Sequence, residues 1–282
     1  MKLKRIITIM ICMVLLFSGL PTAPRIHAES ITENRLSAVT TLEKDKTYYY
    51  DLNGDGTPDK IMYQFTENDD GYSVSFALYI NDKRCISKKT EGFSCMIQIC
   101  DLDTSDSYLD LFVTTRGASD GIIYSSFARY DGETVREVTG FSENAPKGFI
   151  FYRYGLNKIN GDGTFTISAD TPISSNAIGC YNCDIPYQVK DNKLSLVPTH
   201  TYEFSKELKK YKYKAQKNFS VYKNADSKKV LFQIRKGDKV TFDQFYVTKS
   251  GKVYLKLKNS KGKTGWISSS SKNLFSNCKY WG

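Results

Sequence analysis

The sequence predicts an all-β protein of two modules, three β-repeats packed as an incomplete propeller-like stack or a sandwich, then a small barrel. Three observations carry this. An acidic loop at 51–59 (Asp-Leu-Asn-Gly-Asp-Gly-Thr-Pro-Asp) opens a strand-period run and returns in altered form at 101–110 and 158–163. Bulky and small side chains alternate along 72–80, and apolar with polar ones along 253–258, the period of a strand with one face in a core. Charge also divides the chain. Residues 29–200 hold 16 Lys and Arg against 25 Asp and Glu, net −9, whereas 201–282 hold 20 against 5, net +15.

Residues 1–28 read as an export signal outside the fold. Lys2, Lys4 and Arg5 give a basic start, Ile6 to Leu20 an apolar run, and Pro21, Pro24 and Ala28 the exit. That run is shorter than the roughly 20 residues a membrane helix needs. The mature chain is therefore expected to be secreted, with no transmembrane segment after signal cleavage and a short N-terminal segment at 29–45.

The repeat module is expected over 46–200. In its first loop Asp51, Asn53 and Asp55 place oxygens at alternate positions, Gly56 lets the backbone reverse, and Asp59 closes the set. Such spacing suits Ca²⁺, which takes six to eight oxygens. Ile61, Tyr63 and Phe65 follow at strand period, so the loop enters a strand and not a helix. The second loop offers Asp101, Asp103, Asp106 and Asp110 but is longer and lacks the glycine, leaving a cation there open. The third has Lys158 where the first carboxylate stands. Downstream, Phe76-Ala77-Leu78-Tyr79 and Phe127-Ala128-Arg129-Tyr130 share F-A-x-Y, and turns are expected at Asn81-Asp82, Asp131-Gly132 and Asp191-Asn192.

Residues 201–216 read as a basic linker with a short helix, and 217–282 as the barrel. There Val253, Leu255 and Leu257 alternate with Tyr254, Lys256 and Lys258, while glycine turns separate five or six short strands. Trp266 is expected either in the barrel core or, with Tyr222, Phe245, Tyr246 and Tyr254, among aromatics that line a ligand groove. Six cysteines follow the signal: Cys85, Cys95, Cys100, Cys180, Cys183 and Cys278. An even count in an exported chain allows up to three bridges without choosing their pairing.

Two resemblances follow from these residues. Val221-Tyr222, Lys236-Gly237-Asp238-Lys239-Val240, Val253-Tyr254-Leu255-Lys256-Leu257 and Gly262-Lys263-Thr264-Gly265-Trp266-Ile267 resemble the bacterial Src-homology-3-like (SH3b) domain. That resemblance implies a barrel attaching a secreted protein to peptidoglycan or peptides. The acidic loops resemble FG-GAP and VCBS-type repeats, which implies structural calcium at Asp51, Asn53, Asp55, Thr57 and Asp59. The whole chain looks like a secreted Gram-positive protein.

The expected function is non-enzymatic binding: a calcium-braced repeat module displayed at the cell wall by a basic barrel that holds peptidoglycan or an anionic wall polymer. Another extracellular protein is a further expected partner, and nucleic acid is not. One alternative is an interaction or adhesion protein whose barrel docks on its own repeats. The other is a wall hydrolase using Cys180 or Cys183 with His200, the only histidine after the signal. No G-x-S-x-G, H-E-x-x-H or phosphate-cradling glycine loop occurs, so an enzyme is not expected.

Overall fold

The protein, represented by a computed structural model, is described over residues 39–67, 73–91, 94–117, 121–141, 143–150 and 153–279. These residues belong to one unit, Asn34–Gly282. The expected signal at 1–28, residues 29–38 of the N-terminal segment and the turn at 69–71 lie outside them.

The described chain is all-β and antiparallel between its named strands, in three sheets. After β1 (Thr40–Thr41), the meander β2 (Tyr48–Tyr50), β3 (Asp59–Glu67), β4 (Ser73–Ile80) and β5 (Lys83–Glu91) forms the first sheet. The second is β6 (Ser94–Cys100), β7 (Asp110–Arg116), β8 (Ile122–Tyr130) and β9 (Val135–Val138), with β1 on its β6 edge. The third begins with β10 (Tyr154–Ile159), β11 (Thr164–Asp170), β12 (Asn182–Lys190) and β13 (Lys193–Leu196).

Local chemistry fixes these elements. In β3 and β4, Ile61 faces Ile80 and Tyr63 faces Leu78, so one face of the hairpin is apolar and buried. Asn81-Asp82 and Asp191-Asn192 both adopt positive φ (51° and 63°, 51° and 56°), as a two-residue hairpin turn demands. The middle sheet is covered on both sides. Leu111, Val113 and Ala128 join the core shared with the first sheet, whereas Phe112 and Phe127 pack the other way, Phe127 lying 4.8 Å from Phe165. That is why Leu111-Phe112-Val113 are apolar in succession and β7 is buried without a break from Asp110 to Thr115.

Successive loops are stitched by one kind of backbone bond. Leu109 N–H, just before β7, donates to Leu52 O at 2.9 Å, and Gly163 N–H, just before β11, donates to Leu102 O at 2.9 Å. The matching residue before β3 is Pro58, which has no N–H to give.

The segment expected as a linker, 201–216, is built into the third sheet. It holds β14 (Thr201–Phe204), helix α1 (Lys206–Lys210) and β15 (Tyr213–Lys214). β14 pairs with β12 on one side and with the later β18 on the other. The physical reason is apolar: Tyr202, Phe204, Leu208 and Tyr213 are all buried. Ser205 caps α1 by accepting the Leu208 N–H at 3.3 Å.

Of the five or six short strands expected over 217–282, the described residues contain five: β16 (Phe219–Tyr222), β17 (Val230–Ile234), β18 (Lys239–Val247), β19 (Val253–Asn259) and β20 (Thr264–Ser268). They continue the third sheet in the order β14-β18-β19-β20-β16-β17, with β15 on β18. Among the described residues no sheet closes into a barrel, which corrects that part of the expectation. The pairing of β14 with β18 extends the sheet sideways instead.

Candidate functional site

The four aromatic residues expected to bind ligand, Tyr222, Tyr246, Tyr254 and Trp266, come together on one face of β16, β18, β19 and β20. Phe242, Phe245, Val247, Val253, Leu255 and Ile267 point into the core, which turns Gln244, Tyr246, Tyr254, Lys256 and Trp266 outward, all half-exposed. Direct cross-strand neighbours share a face, and here Tyr246 faces Tyr254, Gln244 faces Lys256, and Trp266 lies between Lys256 and Tyr222. Phe245, weighed as a groove aromatic, is fully buried against Tyr202 at 5.2 Å. Trp266 is at the surface, not in the core.

Gly265 makes this arrangement possible. A Cβ there would lie 2.6 Å from Val221 Cγ1 and 2.9 Å from Tyr222 O, so only glycine lets β20 approach β16 closely enough to set Trp266 beside Tyr222. The Tyr246 ring meets Trp266 edge-on at 6.3 Å, and Lys256 Nζ stands 5.9 Å from the indole centroid. The His200 ring, on an exposed residue, is 6.1 Å from Tyr246. Tyr254 donates to Asp226 at 2.5 Å, a bond that, with some burial, pushes its phenol up to about 12. Aromatic rings stack on the C–H faces of sugars, and an ammonium beside them pairs with carboxylate or phosphate. Lys256 and Gln244 were not singled out from sequence as ligand-binding residues, and His200 was singled out only as the base of a thiol hydrolase. The period-2 step from Tyr254 to Lys256 was visible, but the register joining three strands was not.

The first acidic loop is a set of turns built on its own carboxylates. Asp51 accepts from the N–H groups of Gly54, Asp55 and Gly56 (2.8, 3.1 and 2.8 Å). Asp55 accepts from Thr57 N–H and the Asn53 amide (2.7 and 2.9 Å), and these bonds, the amide first, hold its carboxyl below the usual range. Buried Asp59 accepts from Leu52 N–H and Asn81 Nδ2 (3.0 and 2.7 Å). The hard oxygen donors are of the right chemistry for Ca²⁺. In this arrangement they face N–H donors, and among the described residues no three acidic, histidine or cysteine side chains cluster closely enough to hold a metal.

The second loop contains a feature sequence reading missed. Arg129 reaches from β8 to Asp110 and Asp106 and lies over Tyr108, its Cζ 5.0 Å from the ring centroid. Burial pushes the Asp110 carboxyl up against the pull of this guanidinium, and the Asp110 bond raises Arg129 further. A cavity of about 500 Å³ opens beside the pair, lined by Asp103, Asp162 and Lys190 among others.

Cys183 does not have the surroundings of an activated nucleophile. Cys183 is fully buried and burial holds its thiol well above the ordinary range, the reverse of an activated thiolate. Cys180 is half-buried, with its N–H on Lys279 O at 2.6 Å. The six cysteines form no disulfide among the described residues. Compared with known protein families, curated proteins and solved structures, the chain matches none.

Proposed function

We propose that this is a secreted binding protein of the cell wall, whose half-exposed aromatic and lysine face on β16, β18, β19 and β20 grips peptidoglycan or an anionic wall polymer. The observation that carries the reading is the convergence of Tyr222, Tyr246, Tyr254 and Trp266 with Lys256 on one sheet face. The surrounding segment 201–282 is strongly basic, net +15, which draws polyanions toward that face. On this reading the C-terminal strands are an SH3-like module and the three meanders are FG-GAP or VCBS-type repeats in an incomplete propeller. The matching bonds from Leu109 to Leu52 and from Gly163 to Leu102 support the repeat. Asp51, Asn53, Asp55, Asp59 and the Thr57 carbonyl would hold structural Ca²⁺, which supplies rigidity and no chemistry.

The pairing of β14 with both β12 and β18 favours a second role for the C-terminal strands, docking on the repeats. The two roles are compatible, because β14 pairs along the backbone edge of β18 and leaves the Tyr246 and Gln244 side chains on the outward face. The test is sedimentation of the intact protein with purified Gram-positive cell walls. Binding that declines as salt rises supports the reading; protein that stays in the supernatant at every salt concentration contradicts it.

A further inference from the structure

The register of the third sheet sets Glu203 of β14, Gln244 of β18, Lys256 of β19 and Trp266 of β20 in one cross-strand row. Polar contacts run along it. Lys209 of α1 donates to Glu203 Oε2, Gln244 Nε2 donates to Glu203 Oε1, and Lys256 Nζ donates to Gln244 Oε1 at 3.4 Å. At the end of the row the Lys256 ammonium stands over Trp266.

The direction of these contacts follows from donor chemistry. An ionised carboxylate only accepts, so Glu203 must receive the Nε2 side of the Gln244 amide, and that turns Oε1 toward Lys256. A flipped amide would present N–H to an ammonium, donor against donor. Burial pushes the Glu203 carboxyl up, yet the bonds from Lys209 and Gln244, with the charges of Lys209 and Lys256, bring it below its ordinary value and keep it an acceptor.

We propose that Glu203 and Gln244 are positioning residues, which hold the Lys256 ammonium over the Trp266 ring so that an anionic sugar meets ring and cation together. The binding site then crosses out of the C-terminal strands β16–β20 and takes its alignment from β14 and α1. This rests on the wall-binding reading above.

The test uses the intact chain carrying Trp281→Phe, which leaves Trp266 as the sole tryptophan. It is titrated with muramidase-solubilised peptidoglycan while Trp266 emission is followed. Lys256→Gln is expected to weaken binding roughly tenfold, and Gln244→Leu and Glu203→Gln roughly fivefold each. Both positioning variants should keep the parent's unfolding midpoint and shift the emission of the free protein, because the ammonium leaves the ring. Lys263→Gln, the same charge lost at an exposed turn, should weaken binding less than about twofold. Parent-like affinity in both Gln244→Leu and Glu203→Gln, with Lys256→Gln still weakened, overturns the proposal and leaves the wall-binding reading standing. A parent that binds neither these fragments nor whole walls overturns both.

Discussion

Arg129 grips Asp110 with two donors on one edge of its guanidinium, Nε at 2.9 Å and Nη2 at 2.7 Å, while Nη1 holds Asp106 at 2.7 Å. The second acidic loop therefore carries a cation of its own. In the first repeat the F-A-x-Y position of Arg129 is Leu78, which is buried, and Asp59 instead takes the Asn81 amide. Two loops that look alike in sequence thus balance their charge by different means.

Removing the guanidinium leaves a nearly buried carboxylate without its counter-charge. Arg129→Met is expected to destabilise the protein by about 3–5 kcal/mol in urea unfolding, and adding Asp110→Leu should recover a large part of that loss. A single variant as stable as the parent would show that the pair contributes nothing.

Two glycines of the first loop separate steric from conformational cost. A Cβ on Gly54 (φ 74°) would meet Ser107 Cβ at 2.2 Å and Ser107 O at 2.8 Å, whereas one on Gly56 (φ 85°) meets nothing within 4 Å. Gly56→Ala should cost about 1–2 kcal/mol for the left-handed backbone alone. Gly54→Ala adds the clash with the second loop and should cost about 2–4 kcal/mol. Equal losses, measured by chemical denaturation, would mean that the two loops are not in contact in solution.

The loops also set the acid limit. Asp55, Asp103, Asp131 and Asp162 are each held below the ordinary carboxylate range by hydrogen bonds, chiefly from Asn53, Ser105, Thr134 and Thr164. A carboxyl with a lower pKa folded than unfolded contributes stability above its unfolded value, about 4, and loses it as pH falls through the folded one. Asp110 and Asp184, pushed up chiefly by burial, act in the opposite sense above that value. The thermal midpoint should hold or rise slightly from about pH 7 to 5 and fall below about pH 4. A midpoint already dropping between about pH 6 and 5 would contradict this.

Thiol access follows burial. Cys100 and Cys183 are buried, with thiols held well above the ordinary range by desolvation, and half-buried Cys180 is the more accessible. A water-soluble disulfide reagent should modify Cys180 in the native protein and reach Cys100 and Cys183 only on unfolding. Rapid native modification of Cys183, read by peptide mapping, would favour the thiol-hydrolase alternative.

Much of the fold was legible in local sequence. Ile61, Tyr63 and Phe65 announced β3 by their period, and Asn81-Asp82 and Asp191-Asn192 announced their turns by backbone tolerance. The lysine-rich surroundings of 201–216 hid a strand, because Tyr202 and Phe204 gain their burial from Phe245 and Tyr181, which lie far along the chain or in another element. The aromatic face was half legible for the same reason. Period 2 turns Tyr254 and Lys256 to one side, but only long-range register sets Lys256 beside Trp266 and Gln244. Arg129 escaped notice because its partners Asp106 and Asp110 lie about twenty residues away, and sequence gives no sign of a cross-strand ion pair.

The most direct measurement compares the intact protein with its Tyr246→Ala/Trp266→Ala variant on purified cell walls at low salt. The expected result is an unfolding midpoint close to the parent's, since both side chains are half-exposed, with wall affinity reduced by roughly tenfold or more. A folded double variant that sediments as fully as the parent would contradict the assignment of this sheet face as the binding surface.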